Sequence, residues 1–196
     1  AFARLQIATA TRVDELLAMG CIDRRLPILA AQVDPLLTDP AMLAYVDAEQ
    51  QAQLRAAAPI LKALCARLDQ YNVPATLVHG DMHMSNVAAR EEGYLFFDWS
   101  DACITHPFLD MISILHEADP ELQNRLRDGY LALWTAYEPL DRLLEMWELA
   151  YLLCALHQAV SYQAIIANCE DACKYEMDWA MPFWFGKILE ALKVTR

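Results

Sequence analysis

The chain has 196 residues, of which 57% are hydrophobic and 21% are charged, and its formal net charge is -12. This balance is typical of a globular protein with a filled core and excludes a disordered one. No stretch gathers enough Lys and Arg to bind along a phosphate backbone, so the charge argues against nucleic-acid binding and favours a cationic small-molecule partner.

Residues 1–72 are predicted to be helical. The first helix covers roughly Ala3 to Met19 and ends at Gly20. A longer helix is predicted from apolar side chains that recur at the spacing of one helix face. Asp39 and Pro40 provide its N-cap and a proline in its first turn, where the missing N–H carries no cost. The apolar face contains Leu54, Leu61, Leu64, Cys65 and Leu68.

The sequence changes character between residues 74 and 98. Three short segments rich in β-branched, aromatic and small apolar residues predict strands at 76–78, 87–89 and 94–97. The polar turn 90–93, Arg-Glu-Glu-Gly, joins the last two segments. We therefore expect a small β-hairpin in this region.

Helical sequence resumes after the hairpin. Asp119 and Pro120 open one predicted helix, another follows Pro139, and Pro182 is expected to break the final segment, 171–193. The predicted fold class is mainly α with a small β-hairpin. The expected inward side chains are Leu122, Leu126, Tyr130, Leu133 and Tyr137 in the first helix, and Leu140, Leu143, Trp147, Tyr151 and Cys154 in the second.

The densest group of polar side chains lies at one end of the predicted hairpin, in segments 79–86 (His-Gly-Asp-Met-His-Met-Ser-Asn) and 98–101 (Asp-Trp-Ser-Asp). A strand leading to Asp81 and a hairpin between Asn86 and Asp98 bring two carboxylates and an amide oxygen together. Phosphoryl transfer needs an oriented hydroxyl and oxygen ligands for magnesium more than covalent help from the protein. The sequence therefore predicts Asp81 as the base for the acceptor hydroxyl, and Asn86 and Asp98 as magnesium ligands.

The protein-kinase catalytic loop has the same spacing, since its His-Arg-Asp is followed by four residues and Asn, with a magnesium-binding Asp later. Here Gly80 stands in place of the Arg. The pattern His-Gly-Asp-x-His-x-x-Asn, followed by a strand and Asp-Trp, resembles the aminoglycoside phosphotransferase and choline kinase family, which phosphorylates small-molecule hydroxyls. The resemblance is close over residues 77–110, including His-Pro-Phe-Leu-Asp at 106–110, and loose over the rest.

The resemblance implies roles for individual residues and a co-substrate, ATP. It implies a supporting role for His83 at the loop or the phosphates, an architectural role for His79, and a brace for the catalytic loop at Asp110. Simpler interpretations stay open, because Asp110 is equally suited to capping the helix that follows and Asp101 to a solvated turn. The implied site residues are Asp81 and His83 as catalytic residues, and Asn86 and Asp98 as nucleotide- and magnesium-binding residues.

Kinase-like enzymes also need a glycine-rich loop over the phosphates and a strand lysine paired with a helix glutamate. The five glycines of this chain are dispersed, and its lysines fall on helix-like segments. We therefore expect 1–196 to form a single kinase-like C-terminal lobe that is inactive alone, with an ATP-grasping N-terminal lobe before Ala1. Within it, 1–72 is helical, 74–98 forms the catalytic loop and metal-site hairpin, and 107–196 forms a helical acceptor-binding part.

The leading hypothesis is an ATP- and Mg²⁺-dependent phosphotransferase acting on a small-molecule hydroxyl. One alternative is a kinase-like module that binds a ligand or partner without catalysis. Another is a metal-dependent phosphohydrolase using Asp81, His83 and Asp98, which is disfavoured because the histidines are dispersed. The acceptor does not follow from the sequence, because a fold does not fix its substrate. The histidines are His79, His83, His106, His116 and His157.

The six cysteines lie in apolar surroundings without a Cys-x-x-Cys pair, as expected of reduced cysteines in a cytoplasmic protein. Cys169 and Cys173 lie four residues apart beside acidic residues, which leaves a weak metal-binding alternative. An uninterrupted run of about 18 apolar residues and a signal-peptide pattern are both absent from the sequence. We therefore expect a cytoplasmic protein that does not associate with membranes.

Overall fold

A computed structural model describes residues 1–115 and 119–194 of the protein. In chain order, the described helices are α1 Phe2–Thr9, α2 Val13–Ala18, α3 Leu26–Thr38, α4 Pro40–Leu43, α5 Ala48–Leu68, α6 Ile112–Leu115, α7 Pro120–Leu131, α8 Leu140–Asn168 and α9 Ala180–Val194. The described strands are β1 Ile22–Asp23, β2 Thr76–Val78, β3 Val87–Arg90, β4 Gly93–Phe96 and β5 Cys103–Thr105. Short 3₁₀-helices occupy Ala10–Arg12, Met84–Asn86, Pro107–Asp110 and Asp171–Met177.

The chain forms two compact units. The first contains Ala1–Arg25 and Gln70–Ala150, and the second contains Leu26–Asp69 and Tyr151–Arg196. All the predicted site residues, from His79 to Asp110, fall in the first unit. That unit also holds both sheets, whereas the described secondary structure of the second is helical.

The first unit contains a three-stranded sheet that the sequence did not predict. Strand β5 lies in the middle, parallel to β1 and antiparallel to β2. The expectation that 1–72 is helical throughout is therefore wrong at Ile22–Asp23, because pairing with β5 satisfies the backbone of this segment. The predicted hairpin is confirmed, and Val87 pairs with Phe96 at the end nearest the site.

The N-terminal helix is interrupted rather than continuous over Ala3–Met19. A 3₁₀ turn at Ala10–Arg12 separates α1 from α2. Gly20 ends the region with a φ of 100°, a conformation that glycine adopts at little cost. Thr9, the last residue of α1, accepts a hydrogen bond through its hydroxyl from the backbone N–H of Leu77 in β2 at 3.1 Å. The turn thus ties the N-terminal segment to the strand that leads into the site.

An aromatic cluster fills the core of the first unit. Phe108 packs against Tyr130, Trp134 and Trp147 with ring centroids 5.5 to 6.0 Å apart. The buried Gln6 joins this cluster to the loop before Phe108, because its amide donates to the carbonyl of Pro107 at 3.2 Å and accepts from Tyr130 at 2.7 Å. Satisfied polar atoms of this kind fix the position of the 107–110 segment.

The predicted inward faces of the later helices are only partly confirmed. Asp119 caps α7 as expected, but the helix ends at Leu131, before Leu133 and Tyr137. Leu126 is 42% exposed and Leu140 is 50% exposed, so neither belongs to the core. Leu140 lies in the first turn of α8, three residues before the buried Leu143, and Leu126 lies four residues before the buried Tyr130 of α7.

The second unit is built around α3 and α5, with α9 packed on α5. The expected long helix does not begin at Asp39, which instead caps the four-residue helix α4. Asp47 is the N-cap of α5, where it forms a reciprocal capping box with Gln50. The stronger cap therefore lies eight residues further along the chain than predicted.

Pro182 does not break the final segment. It lies in the first turn of α9, where backbone N–H groups have no intrahelical partner, so proline is tolerated. The segment is interrupted earlier, by the turn that separates the 3₁₀-helix Asp171–Met177 from α9. Tyr175 and Trp179, two aromatic residues of this segment, are 69% and 51% exposed.

Among the described helices, α8 alone is long and apolar enough to match a membrane span, a feature not singled out in the sequence. Of its most apolar window, 67% is buried inside the protein. Core helices of soluble proteins pass the same test of length and composition, so the match is weak evidence for a membrane span.

Candidate active site

The hairpin brings Asn86 and Asp98 to the same end of two paired strands. Asn86 immediately precedes β3, and Asp98 follows β4 by two residues. The pairing extends beyond Val87 and Phe96, because the N–H of Phe97 donates to the carbonyl of Asn86 at 3.2 Å. The two side chains that the sequence predicts as magnesium ligands therefore start from neighbouring backbone positions.

Asp110 braces the loop that carries Asp81. Its two carboxylate oxygens accept hydrogen bonds from the backbone N–H groups of His79, at 2.7 Å, and Gly80, at 2.9 Å. The side chain is 1% exposed, and burial raises the pKa of Asp110 to about 6, although the two N–H donors oppose that shift. The brace implied by the family resemblance is confirmed.

His79 has an architectural position between the loop and the hairpin. It is completely buried, its Nε2 lies 2.8 Å from the carbonyl oxygen of Phe97, and its Nδ1 accepts from the N–H of Asp81 at 3.3 Å. With Nδ1 as an acceptor, Nε2 is the ring nitrogen that donates to the Phe97 carbonyl. The ring also packs against Trp99 with centroids 4.8 Å apart. His79 thus fixes the start of the loop relative to the strand end beside Asp98.

Gly80 is required by both conformation and space. Its φ is 85°, in the region that favours glycine. A Cβ at this position would lie 2.1 Å from the backbone oxygen of Asp101. The glycine that replaces the protein-kinase Arg therefore allows two chain segments to approach closely.

Asp81, His83 and Asn86 form a hydrogen-bonded group in which Asn86 is buried and the other two side chains are partly exposed. The Asp81 and His83 side chains are each 45% exposed, and Nε2 of His83 lies 3.2 Å from Oδ2 of Asp81. The amide nitrogen of Asn86 donates to the backbone carbonyl of Asp81 at 3.0 Å and lies 3.2 Å from His83 Nε2. Because the nitrogen is used in this way, the amide oxygen is the atom of Asn86 that remains for a cation.

Asp98 is held in an uncommon backbone conformation at the end of β4. Its φ is 64°, and it is the one non-glycine residue with positive φ in the described part of the chain. Aspartate tolerates this region better than most residues do. The side chain is exposed and accepts a hydrogen bond from the hydroxyl of Ser100 at 2.9 Å. The carboxylate is therefore accessible from solvent.

Sequence reasoning missed the contribution of Arg24 and underrated Asp101. Asp101 is half-buried, and burial together with the negative charges of Asp81 and Asp98 raises its pKa, while Arg24 and His79 lower it. Arg24 is 6% exposed and enters the region from β1, whose pairing with β5 was not predicted. The two-residue strand gives no recognisable sequence signal, so Arg24 could not be placed near the site.

The donor set fits magnesium better than a transition metal. Asn86 and Asp98 offer oxygen atoms, which Mg²⁺ prefers, and this ion usually keeps several water ligands. Within residues 1–115 and 119–194, no group of three or more His, Cys, Asp and Glu side chains is arranged to hold a metal ion. That finding disfavours both the phosphohydrolase alternative and a Cys169–Cys173 metal site among these residues. His116 lies outside the described residues.

A protein-family model described as the phosphotransferase enzyme family matches residues 1–145. The chain belongs to the phosphotransferase enzyme family. The match covers 145 of the 196 residues and includes the loop, the hairpin and Asp110. It agrees with the predicted relation to aminoglycoside phosphotransferases and choline kinases, and the mostly helical fold with small sheets is compatible with a kinase-like fold. A comparison with curated proteins found no match.

Proposed function

We propose that this phosphotransferase transfers the γ-phosphate of ATP to a hydroxyl group of a small molecule, with Mg²⁺ bound by Asn86 and Asp98. The observation that supports this proposal most is the juxtaposition of Asn86 and Asp98 at the hairpin end beside the Asp81 loop. Phosphotransfer depends on positioning and charge stabilisation, which a rigid loop and a set of oxygen ligands provide.

Asp81 is the residue that orients the acceptor. In this reaction the hydroxyl oxygen forms a bond to the γ-phosphorus, the bond from that phosphorus to the β-phosphate oxygen breaks, and the hydroxyl proton passes to Asp81. The carboxylate is 45% exposed, so an acceptor can reach it from solvent. Its backbone is fixed on both sides, by His79 before it and Asn86 after it. Fixed placement of the base reduces the entropy cost of reaching the reactive geometry.

His83 supports the same step from beside Asp81. Its Nε2 is within hydrogen-bonding distance of both the Asp81 carboxylate and the Asn86 amide. It therefore couples the base to a magnesium ligand and limits the rotamers of both. When bound, magnesium neutralises charge that develops on the transferred phosphate.

The nucleotide and acceptor parts of the site extend beyond these residues. We propose that the glycine-rich loop and strand lysine of a kinase-like enzyme come from an ATP-grasping lobe separate from residues 1–196. We also propose that residues 107–196 contribute the acceptor-binding surface and that the protein acts in the cytoplasm without nucleic acid or membrane partners. The net charge of -12 favours a cationic acceptor over an anionic one.

The test is phosphate transfer by the full-length protein, with any sequence that precedes Ala1. The protein is incubated with ATP, Mg²⁺ and a panel of aminoglycosides, choline, ethanolamine, amino alcohols and sugars, and phosphorylated products are detected by mass spectrometry. We expect product with at least one hydroxyl acceptor, and a loss of about 100-fold or more in Asp98→Asn. Glu92→Gln, at the far turn of the same hairpin, is the control and should keep full activity.

A protein that binds ATP or an acceptor but forms neither product nor ADP would instead favour the non-catalytic module. Equal rates with Mg²⁺ and with a chelator would contradict the proposed roles of Asn86 and Asp98. Steady release of inorganic phosphate without any phosphorylated acceptor would favour hydrolysis over transfer.

A further inference from the structure

We propose that Asp101 is a positioning residue of this site, whose negative charge, partly opposed by the buried Arg24, strengthens magnesium binding at Asn86 and Asp98. The inference rests on the proposed function and extends it to two residues that the sequence did not assign to the site. Asp101 need not touch the ion to act in this way, because its charge acts through space.

The first argument is the place of Asp101 in the backbone. Strands β2 and β5 pair antiparallel, with Val78 opposite Cys103. Gly80, two residues after Val78, lies against the backbone of Asp101, which is two residues before Cys103, and a Cβ there would be 2.1 Å from the Asp101 oxygen. Asp101 is therefore fixed directly beside the residue that precedes Asp81. A residue fixed there cannot move away from the catalytic loop without moving Gly80.

The second argument is the charge that faces Asp101. Arg24 is 6% exposed, its backbone N–H donates to the carbonyl of Ile104 at 2.9 Å, and burial lowers its pKa while the Asp101 charge opposes that shift. A buried guanidinium needs a compensating anion. Asp101 provides such a negative charge, and it also interacts electrostatically with Asp81 and Asp98.

These two observations have a joint consequence for a cation at the site. With Asp101 ionised, three carboxylates act on the ion, and the positive charge of Arg24 is locally opposed. If Asp101 is neutralised, one attractive charge is lost and Arg24 is left to repel the ion. Both changes weaken cation binding, whereas a residue that only shapes the turn would not affect it.

The experiment measures binding of Mn²⁺, as a paramagnetic substitute for Mg²⁺, to the full-length protein with ADP by electron paramagnetic resonance. We expect Asp101→Asn to weaken Mn²⁺ binding about three- to tenfold, an effect that added salt reduces. Asp101→Glu restores the charge and should bind within about twofold of wild type. Glu92→Gln changes the net charge equally but is exposed at the far turn of the hairpin, so it should bind normally.

The outcomes separate this inference from the proposed function. If wild type binds Mn²⁺, Asp98→Asn loses it, and Asp101→Asn behaves like Glu92→Gln, the role of Asp101 is overturned and the proposed function stands. If Asp98→Asn binds as well as wild type, the magnesium site is overturned and the Asp101 role with it. Circular dichroism verifies that each variant is folded, and Asp101→Ser replaces Asp101→Asn if the latter does not fold.

Discussion

Loop 79–86 and the residues beside it have a buried side and an exposed side that differ in how polar groups are satisfied. On the buried side, which we call the brace, the Asp110 carboxylate accepts hydrogen bonds from the backbone N–H groups of His79 and Gly80. On the exposed side, which we call the rim, Asp81, His83 and Asp98 face solvent.

The difference separates buried groups, which stabilise loop 79–86, from exposed groups, which are accessible to a substrate. Groups of the brace are buried, so removing a partner leaves an unsatisfied buried atom, which is costly. Groups of the rim remain solvated, so changing them costs little stability. We therefore expect brace variants to lower the free energy of unfolding and rim variants to lower activity alone.

The largest loss of stability is expected from Gly80→Ala. The new methyl group would clash with the Asp101 backbone, and φ would remain at 85°, so we expect a loss of about 2–5 kcal/mol in urea denaturation. Gly129→Ala is the control, because Gly129 lies in α7 with open space around it, and there we expect a gain of up to about 1 kcal/mol. Equal stability of the two variants would contradict the claim that the brace requires glycine at position 80.

Asp110→Asn is expected to have the next largest effect. The amide keeps one acceptor oxygen but places an NH₂ group against a backbone N–H, which should cost about 1–3 kcal/mol at neutral pH. Denaturation measures the free energy of unfolding of this variant and of Glu92→Gln, which changes the net charge equally at an exposed position. Unchanged stability would mean that the brace does not hold the loop.

His106 provides a pH-dependent test beside the brace. It is buried, its Nδ1 accepts from the N–H of Phe108 at 3.3 Å, and burial lowers its pKa from 6.5 to about 3. Because the folded pKa lies below the unfolded one, stability is lost as pH falls from about 6.5 towards 3.

The matched variant is His106→Asn, which keeps a capping acceptor and cannot titrate. Relative to this variant, wild type should lose about 2 kcal/mol between pH 7 and about pH 5 in parallel denaturation series. Asp110 contributes the opposite slope, because its raised pKa favours the folded state at lower pH, but this contribution is common to both proteins and cancels. Parallel pH profiles would show that His106 is charged, or solvated, in the folded protein.

The smallest change in stability is expected at the rim. Asp98→Asn keeps a side chain that tolerates positive φ, and the residue is exposed, so the free energy of unfolding should change by no more than about 0.5 kcal/mol. Thermal unfolding of the variant used for the activity test provides this value directly. A large loss of stability would show that Asp98, like the residues of the brace, contributes to folding.

Sequence reasoning succeeded where local chemistry decides the structure. The hairpin around residues 90–93 and the cap at Asp119 follow from turn and capping preferences of short segments. It failed where distant pairing decides, because β1 and β5 have only two and three residues and gain their hydrogen bonds from each other. The proposed roles of Arg24 and Asp101 in the site depend on this sheet, which no local sequence pattern predicts.

Competing local signals account for the remaining differences. Asp39 and Asp47 both have the chemistry of an N-cap, and the capping box with Gln50 decides which one begins the long helix. The spacing of Asp81, Asn86 and Asp98 in the sequence was enough to group them into one candidate site. The brace at Asp110 could be expected only from the family resemblance, since spacing does not distinguish it from a helix cap.

The most direct test of the account is Asp81→Asn in the full-length protein, with phosphate transfer and thermal unfolding measured on the same preparation. Asp81 is on the rim, so we predict an unchanged unfolding midpoint and a loss of transfer of about 100- to 10,000-fold. Retained transfer, or a loss of activity that merely follows a loss of folding, would contradict the assignment of Asp81 as the base.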